Sequence, residues 1–522
     1  MIFRSPYPEV AIPEVPFSEF VFQHVAQWQD QPAFIDGLSG RALTFGQVAD
    51  GARLVASSLA KRGLQKGDVF AICCPNVPEY AVAFHAVARL GGIITPMNPL
   101  YTPDELAFQL HDTGAKYVLT VPPFLENVAT AAQRSPVQDI FVLGEAAGAT
   151  PFATLMQHSG PLPAIPVNVH TDVVVLPYSS GTSGRPKGVM LTHYNMVSVL
   201  RQIQPGLRMG PGDRTVGMLP FFHIFGMNVL LHNTLYRGYT CVTMPRFDLV
   251  QFLELVQQHS ITHLFIVPPI AVGLAKAPVV ANYALSSLRY ILSGAAPLDG
   301  AVQQALAERL RVPVVQGYGM TETSLAIAMV PEEQPKTGTA GKLIANMAAK
   351  VLDTASGTEV GPGELGEICV RGPNLMQGYL NHPEATQSTI DAAGWLHTGD
   401  VGYVDHEGYL FVVDRVKELI KYKGMQVAPA ELEGLLLTHP AIADTAVIPS
   451  PDAEAGEIPK AFVVLKGPCT PDEIMAFVAE RVAPHKRVRQ VAIVEAIPKS
   501  PTGKILRRVF VEQERVQPSV SP

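Results

Sequence analysis

The stretch VVVLPYSSGTSGRPKGVMLTHYN, residues 173–195, constrains this chain more than any other. An apolar run passes without a break into a loop of glycine, serine and threonine that leads to Lys187. Short apolar runs bounded by turn residues read as buried strands, and buried strands belong to sheets covered on both faces. The loop brings backbone N–H groups and hydroxyls toward one point and adds a mobile cation, which is the make-up of a polyphosphate cradle. The plain alternative is a solvated turn, since glycine and serine are ordinary turn residues. The best-known phosphate loops do not fit. A Walker loop needs G-x-x-x-x-G-K-[ST], whereas Pro186 follows Gly181 at the fifth position and Lys187 precedes Gly188. The dinucleotide fingerprint also fails, because Gly317-Tyr318-Gly319 is followed by Met320-Thr321-Glu322. Motor ATPases, GTPases and nicotinamide dehydrogenases are therefore disfavoured.

The surroundings of the loop indicate the fold. From Phe34 to about Ile270, apolar runs such as VFAICC and YVLTV alternate with helical patterns such as TFGQVADGARLVASSLAKRG, which Gly63 closes. That alternation predicts βαβ units and parallel sheets, an α/β fold. After Gly338 the texture changes to short alternating strands, with a hairpin turn at His406-Glu407-Gly408. Beyond Asp414 a helix from Pro429, strands IADTAVI and KAFVVLK, a helix from Thr470 and the strand QVAIVEAI make an α+β pattern. Thr470-Pro471-Asp472-Glu473 is a capping box with proline at the first helical position. The expectation is a large N-terminal domain of αβ-layered sheets over residues 1–414, with a small β-rich subdomain at about 338–414. A small α+β C-terminal domain follows over 415–522.

With 522 residues, 47% hydrophobic and 16% charged, the chain has material for more than one core. A net charge of −7 argues against a nucleic-acid surface. The five cysteines are odd in number and form no C-x-x-C pair, so neither a disulfide framework nor a zinc site is supported by the sequence. Residues 215–236 carry no Lys, Arg, Asp or Glu, but Pro220, His223, Asn228, His232 and Asn233 interrupt them, which reads as buried core rather than a membrane span. The first residues, MIFRSPYPEV, hold no apolar signal core. A cytoplasmic protein without a transmembrane segment, monomer or homodimer, is expected.

Six motifs in order carry a resemblance. YSSGTSGRPKGVMLTH is followed by SGAAPL (293–298), QGYGMTETS (316–324), WLHTGD (395–400), GYLFVVDRVKELIKYKGMQVAPAELE (408–433) and PKSPTGKILRR (498–508). Together they resemble the adenylate-forming superfamily of acyl- and aryl-CoA synthetases, nonribosomal adenylation domains and luciferases. PFFHI, SGAAPL and KYKGMQVAPAELE are most similar to the 4-coumarate–CoA ligase-like branch.

The resemblance implies a two-step reaction in which a small-molecule carboxylic acid and ATP give acyl-AMP, and CoA then displaces AMP. It implies that Ser179, Ser180, Gly181, Thr182, Ser183, Gly184 and Lys187 hold the β- and γ-phosphates. Thr321 and Glu322 would meet the α-phosphate and Mg²⁺, a hard ion suited to carboxylate and phosphate oxygens. Ala295, Gln316, Gly317 and Tyr318 would form the adenine pocket, and Asp400 with Arg415 would take the ribose. Lys504 would bridge the carboxylate and the α-phosphate. For the second step the C-terminal domain would rotate about Lys417, bringing Lys421 and Gln426 to the adenylate and Lys423, Gly424 and Arg246 to CoA. His223 falls between the acyl pocket and the thiol path, where either a packing or a catalytic role is open.

Phe225, Asn228, Leu292 and Met329 are the acyl-pocket candidates. Coumarate ligases of plants usually carry tyrosine and lysine where Phe225 and Leu292 stand. An unpaired buried hydroxyl costs about 1–3 kcal/mol, so the pair tilts the pocket toward cinnamate-like or medium-chain acids, with Asn228 as a remaining polar contact. A fatty acyl-CoA ligase and a luciferase-like oxygenase are the alternatives on the same scaffold. A non-catalytic binding protein is disfavoured, because Glu322, Asp400 and Lys504 are all present.

Overall fold

The structure is a computed structural model. It describes residues 1–516 apart from Ser159, 180–185, Glu333, Gly424, Ala453 and 501–502, and apart from the side chains of Gln426, Arg515 and Val516. The described strands form four sheets.

The first sheet has a parallel centre. Val69–Cys73 lies between Ile93–Pro96 and Tyr117–Thr120, and Asp139–Val142 continues it. Lys187–Thr192 joins antiparallel to Val173–Val175 and also pairs with Tyr178–Ser179 and Gly378–Tyr379. The strand before the Gly/Ser/Thr loop and the strand after it thus belong to one sheet, as the apolar flanks require.

The second sheet is built on parallel strands Val314–Tyr318, Tyr290–Ser293, His263–Ile266, Arg214–Gly217, Thr240–Thr243 and Pro32–Asp36. One continuous apolar core draws on both sheets. Helix Glu79–Arg89 is buried on all sides from Tyr80 to Ala88. Its side chains alternate alanine with Tyr80, Val82, Phe84 and Val87, so neighbouring layers close over it from every face. Each fully buried large apolar side chain of this kind contributes about 1.5–3 kcal/mol. Asn76, just before that helix, donates to the carbonyls of Gly217 (2.8 Å) and Leu219 (2.7 Å) and accepts from Phe221 N–H. It links the loop after Val69–Cys73 to the end of a strand in the second sheet. The uncharged stretch 215–236 is core: strand Arg214–Gly217 enters a π-helical turn, Gly226–His232, whose residues are all buried. No described helix is long and apolar enough to cross a membrane.

The third sheet is antiparallel and orders Phe3–Arg4, Ala348–Leu352, Gly366–Arg371, Leu396–Val404 and Leu410–Arg415. Its last hairpin turns where His406-Glu407-Gly408 predicts it, with Gly408 at φ +82°. The fourth sheet contains Ile420–Tyr422, Met425–Val427, Ile442–Asp452, Gly456–Leu465 and Gln490–Ile493. Helices Pro429–Leu437 and Pro471–Ala479 join it around a separate apolar core that includes Ile420, Leu432, Val447, Val463 and Ile474. Thr470 and Glu473 close the expected capping box. Asp414 Oδ2 accepts from Ala430 N–H at 2.8 Å, tying the third sheet to the first turn of helix Pro429–Leu437.

Candidate active site

The chain segments that follow the parallel strands of the second sheet converge on a cavity of about 1490 Å³. Open α/β sheets bind ligands at that edge. Gly294 and Ala295 follow strand Tyr290–Ser293, and Gly319 to Glu322 follow Val314–Tyr318. His223 and Phe225 lie beyond Arg214–Gly217. Lys504 and Arg507 enter the lining from the C-terminal side.

One end is apolar. Phe225, Val229, Phe265, Leu292, Leu325 and Met329 line it. Gly294 forms part of this wall because space is short: a Cβ there would stand 2.9 Å from the Phe225 ring. Asn228 is not in the lining. It is fully buried, its amide donates to the Ser324 carbonyl, and its Oδ1 has no partner. The polar contact expected from Asn228 is therefore turned away, toward the backbone of the segment after Glu322.

His223 is in the lining, and its Nδ1 accepts the Phe225 N–H at 3.3 Å. Burial lowers its pKa to about 4, so the ring is neutral at pH 7. A neutral ring that accepts at Nδ1 carries its proton on Nε2. His223 is thus set to donate a hydrogen bond rather than to accept a proton.

On the polar side of the cavity, Tyr318 Oη donates to Asp400 Oδ2 at 2.5 Å, and Arg415 Nε stands 3.2 Å from Asp400 Oδ1. Burial raises the Asp400 pKa, opposed by Arg415 and the Tyr318 hydrogen bond. Asp400 is buried behind a wall that includes Tyr318, Gly399 and Arg415. Gln316 departs from the expectation. Its side chain is buried, accepting from Leu298 N–H and donating to the Leu298 carbonyl and Gln303. It braces the 294–298 segment from beneath and does not enter the lining. Ala295 holds φ +69° and Ser324 φ +55°, left-handed conformations that cost non-glycine residues energy and gather at functional sites. Gly319 is required by proximity, since a Cβ would fall 1.7 Å from the Leu325 carbonyl oxygen.

Ser179, Lys187, Thr321 and Glu322 lie in the lining, whereas Ser180, Gly181, Thr182, Ser183 and Gly184 fall outside the described residues. The carboxylate of Glu322, almost fully buried, accepts from Tyr379 Oη at 2.9 Å. The Tyr379 ring lies 5.2 Å from Lys187 Nζ. Tyr379 therefore connects the lysine of the loop to the carboxylate in the short turn Thr321–Thr323 after strand Val314–Tyr318, and the sequence reading missed it. Nothing in GYLNHPEAT marks its tyrosine as a site residue. The strand pairing of Val189 with Tyr379 is what brings it there.

Lys504 is in the lining, on a loop closed by Ser500 N–H to the Lys504 carbonyl (2.8 Å) and Lys504 N–H to Ser500 Oγ (3.1 Å). Burial, and next Arg415, lower its pKa, while Glu418 and Asp400 raise it. An ammonium held among two arginines and two carboxylates in the wall of the cavity is placed to meet developing negative charge. Arg507 stiffens the same segment by pairing with Glu418 and with Glu433, the latter at 2.5 Å. Lys417 also lines the cavity. Lys421, Lys423 and Arg246 do not; they are exposed and outside the lining. Gln426 faces Lys421 in strand register, its side chain and Gly424 lying outside the described residues.

Comparison with known proteins agrees with this geometry. Residues 21–380 match the family described as AMP-binding enzyme, and residues 431–504 match the AMP-binding enzyme C-terminal domain. The chain is 43% identical to 4-coumarate–CoA ligase 5 of Oryza sativa subsp. japonica over 97% of its own length and 96% of that protein. It is equally similar to 4-coumarate–CoA ligase 1 of Petroselinum crispum, with the same coverage. Among solved structures, the anthranilate CoA ligase AuaEII in complex with anthranoyl-AMP superposes with a TM-score of 0.88 at 27% identity, covering 96% of this chain and 98% of that one. ATP-bound MatB from Rhodopseudomonas palustris gives 0.87 at 28% identity, covering 95% and 98%. With the motifs, the fold and the cavity in agreement with these matches, the chain belongs to the adenylate-forming AMP-binding enzyme family, close to the 4-coumarate–CoA ligases.

Proposed function

We propose that this protein is an AMP-forming acid–CoA ligase that converts an aryl-propenoic acid of the cinnamate or 4-coumarate kind to its acyl-adenylate and then to its CoA thioester. One observation carries the reading: Lys504, the apolar end around Phe225 and Leu292, and the Lys187–Glu322 side all face one cavity. A carboxylate is a poor electrophile, and its attack on the α-phosphate of ATP brings two anions together. Lys504 offsets that charge between them, Lys187 and Ser179 hold the far phosphates, and Arg415, held from behind the cavity wall by Asp400, faces the ribose. His223 donates from Nε2 toward the acid or its adenylate. Forming the P–O bond to the acid breaks the bond to pyrophosphate, and attack of the CoA thiolate on the carbonyl carbon releases AMP.

The residues present suit Mg²⁺. Glu322 and Thr321 offer hard oxygen donors beside the expected phosphate position, and these two residues would hold the ion. When bound it neutralises phosphate charge. In this arrangement Lys504 faces the adenylation chemistry, and rotation of residues 415–522 about Lys417 exchanges it for Lys421 and Gln426, with Lys423, Gly424 and Arg246 toward CoA. Such domain closure lets one pocket serve two transition states. The five unpaired cysteines support a cytoplasmic compartment.

The aryl preference rests on the similarity to 4-coumarate–CoA ligases and on the phenylalanine-lined apolar end. It is tested by mass spectrometry of the thioesters formed from one pool of cinnamate, 4-coumarate, ferulate, benzoate and straight-chain acids with ATP, Mg²⁺ and CoA. Aryl-propenoyl thioesters are expected to dominate, with cinnamoyl-CoA favoured by Phe225 and Leu292. Dominance of alkyl thioesters would reassign the enzyme as a fatty acyl-CoA ligase, and absence of any thioester would refute the CoA step.

A further inference from the structure

The antiparallel sheet next to the cavity gathers three different donor atoms. Cys369 on strand Gly366–Arg371 and His397 on strand Leu396–Val404 are register partners, and Glu367 lies two residues before Cys369. Glu367 Oε2, Cys369 Sγ and His397 Nδ1 lie within 4.8 Å of one another. Nδ1 is 2.9 Å from the carboxylate oxygen and 3.5 Å from the thiol sulfur. One ring nitrogen faces both the carboxylate and the thiol. If Nδ1 carries a proton and donates it to Glu367, the thiol faces an N–H to which it cannot donate. If Nδ1 accepts from the thiol, its lone pair is used and Glu367 Oε2 loses this donor, while Oε1 keeps the Gly399 N–H.

We propose that Glu367, Cys369 and His397 form a binding site for a divalent cation of borderline softness, Zn²⁺ first, separate from the Glu322 position. Mixed oxygen, nitrogen and sulfur donors suit Zn²⁺ and not the hard ions Mg²⁺ and Ca²⁺. Tetrahedral Zn²⁺ with its usual bond lengths sets sulfur and nitrogen ligands about 3.5 Å apart, which is the separation here. The oxygen–nitrogen distance needs to open by only a few tenths of an ångström. His397 Nε2 stands 3.7 Å from Asp391 Oδ2, the outer carboxylate that zinc-bound histidines usually have. Asp391 is fixed in turn by the N–H groups of Ala393 and Trp395, both at 2.9 Å. Glu367 and His397 reach the cavity lining, so a fourth position opens toward water or a phosphate oxygen. Glu367 Oε1 accepts from Gly399 N–H at 3.1 Å, which couples an ion here to the segment carrying Asp400.

Binding forms a sulfur–metal bond and releases the thiol proton to solvent. Burial pushes the Cys369 thiol up to about 12, with Glu367 and Asp391 raising it and Lys350 lowering it.

The test is a titration of the chelator-stripped full chain with Co²⁺ alone, read by absorption. One equivalent should produce a thiolate-to-cobalt charge-transfer band with intense four-coordinate visible bands, and Zn²⁺ should displace both. Cys369→Ser should abolish the charge-transfer band, His397→Asn should weaken binding at least about tenfold, and Cys469→Ser should leave the spectrum unchanged. A stoichiometric complex without a thiolate band, or a band that survives in Cys369→Ser, would overturn the site. Should Cys369→Ser not fold, unaltered Co²⁺ affinity in His397→Asn would overturn it equally.

Discussion

Lys504 illustrates how single residues are set in this molecule. Its ammonium lines the cavity, where burial and then Arg415 lower its pKa and Glu418 and Asp400 raise it. Replacing it with alanine should slow ATP–pyrophosphate exchange by about 100-fold or more, the scale of losing one oriented charge at a transition state. ATP binding, measured by calorimetry, should change little. Exchange at the wild-type rate would refute the role proposed for Lys504. Lys504, Glu322 and Asp400 were legible because each sits in a dense local motif. Tyr379 was not, since its partner Glu322 lies 57 residues away in the chain and the pairing exists only once two strands meet. Gln316 shows the reverse: its motif pointed to the adenine pocket, but the side chain is taken up by Leu298 and Gln303 and stays out of the lining.

At the scale of elements, the apolar wall of the cavity includes a short segment following strand Tyr290–Ser293, pressed against the residue that precedes the π-helical turn Gly226–His232. Gly294 is the contact point. Gly294→Ala places a methyl group 2.9 Å from Phe225 and should raise KM for an aryl acid about tenfold while leaving KM for ATP within about twofold. Overpacking of this kind costs about 1–3 kcal/mol, so the thermal midpoint should be measured alongside. Equal effects on both KM values would show that the segment moves as a whole rather than narrowing the acyl end. The helices and strands that carry these residues were legible from capping boxes, glycine stops and apolar runs, as at Thr470–Glu473. The π-helical turn was not, because its i→i+5 bonding leaves no periodicity of its own in seven residues.

For the whole molecule, the orientation of the C-terminal domain separates two groups of lysines. Lys504 and Lys417 line the cavity, while Lys421 and Lys423 are exposed outside it. Lys421→Ala should therefore leave ATP–pyrophosphate exchange within about twofold of wild type. It should slow thioester formation from a synthetic acyl-adenylate and CoA by about tenfold or more. Loss of adenylation in this variant would contradict the rotation about Lys417. The chain's own sequence determined the alternation of strands and helices, the phosphate-loop composition and the residue types that activate a carboxylate, because hydrophobic period, turn chemistry and motif spacing are local properties. Only the tertiary structure decided that Asn228 turns away from the pocket, that Tyr379 joins Lys187 to Glu322, and that Glu367, Cys369 and His397 converge. Those outcomes depend on register and on crossings between segments far apart in the chain, where a one-residue slip sends a side chain to the opposite face.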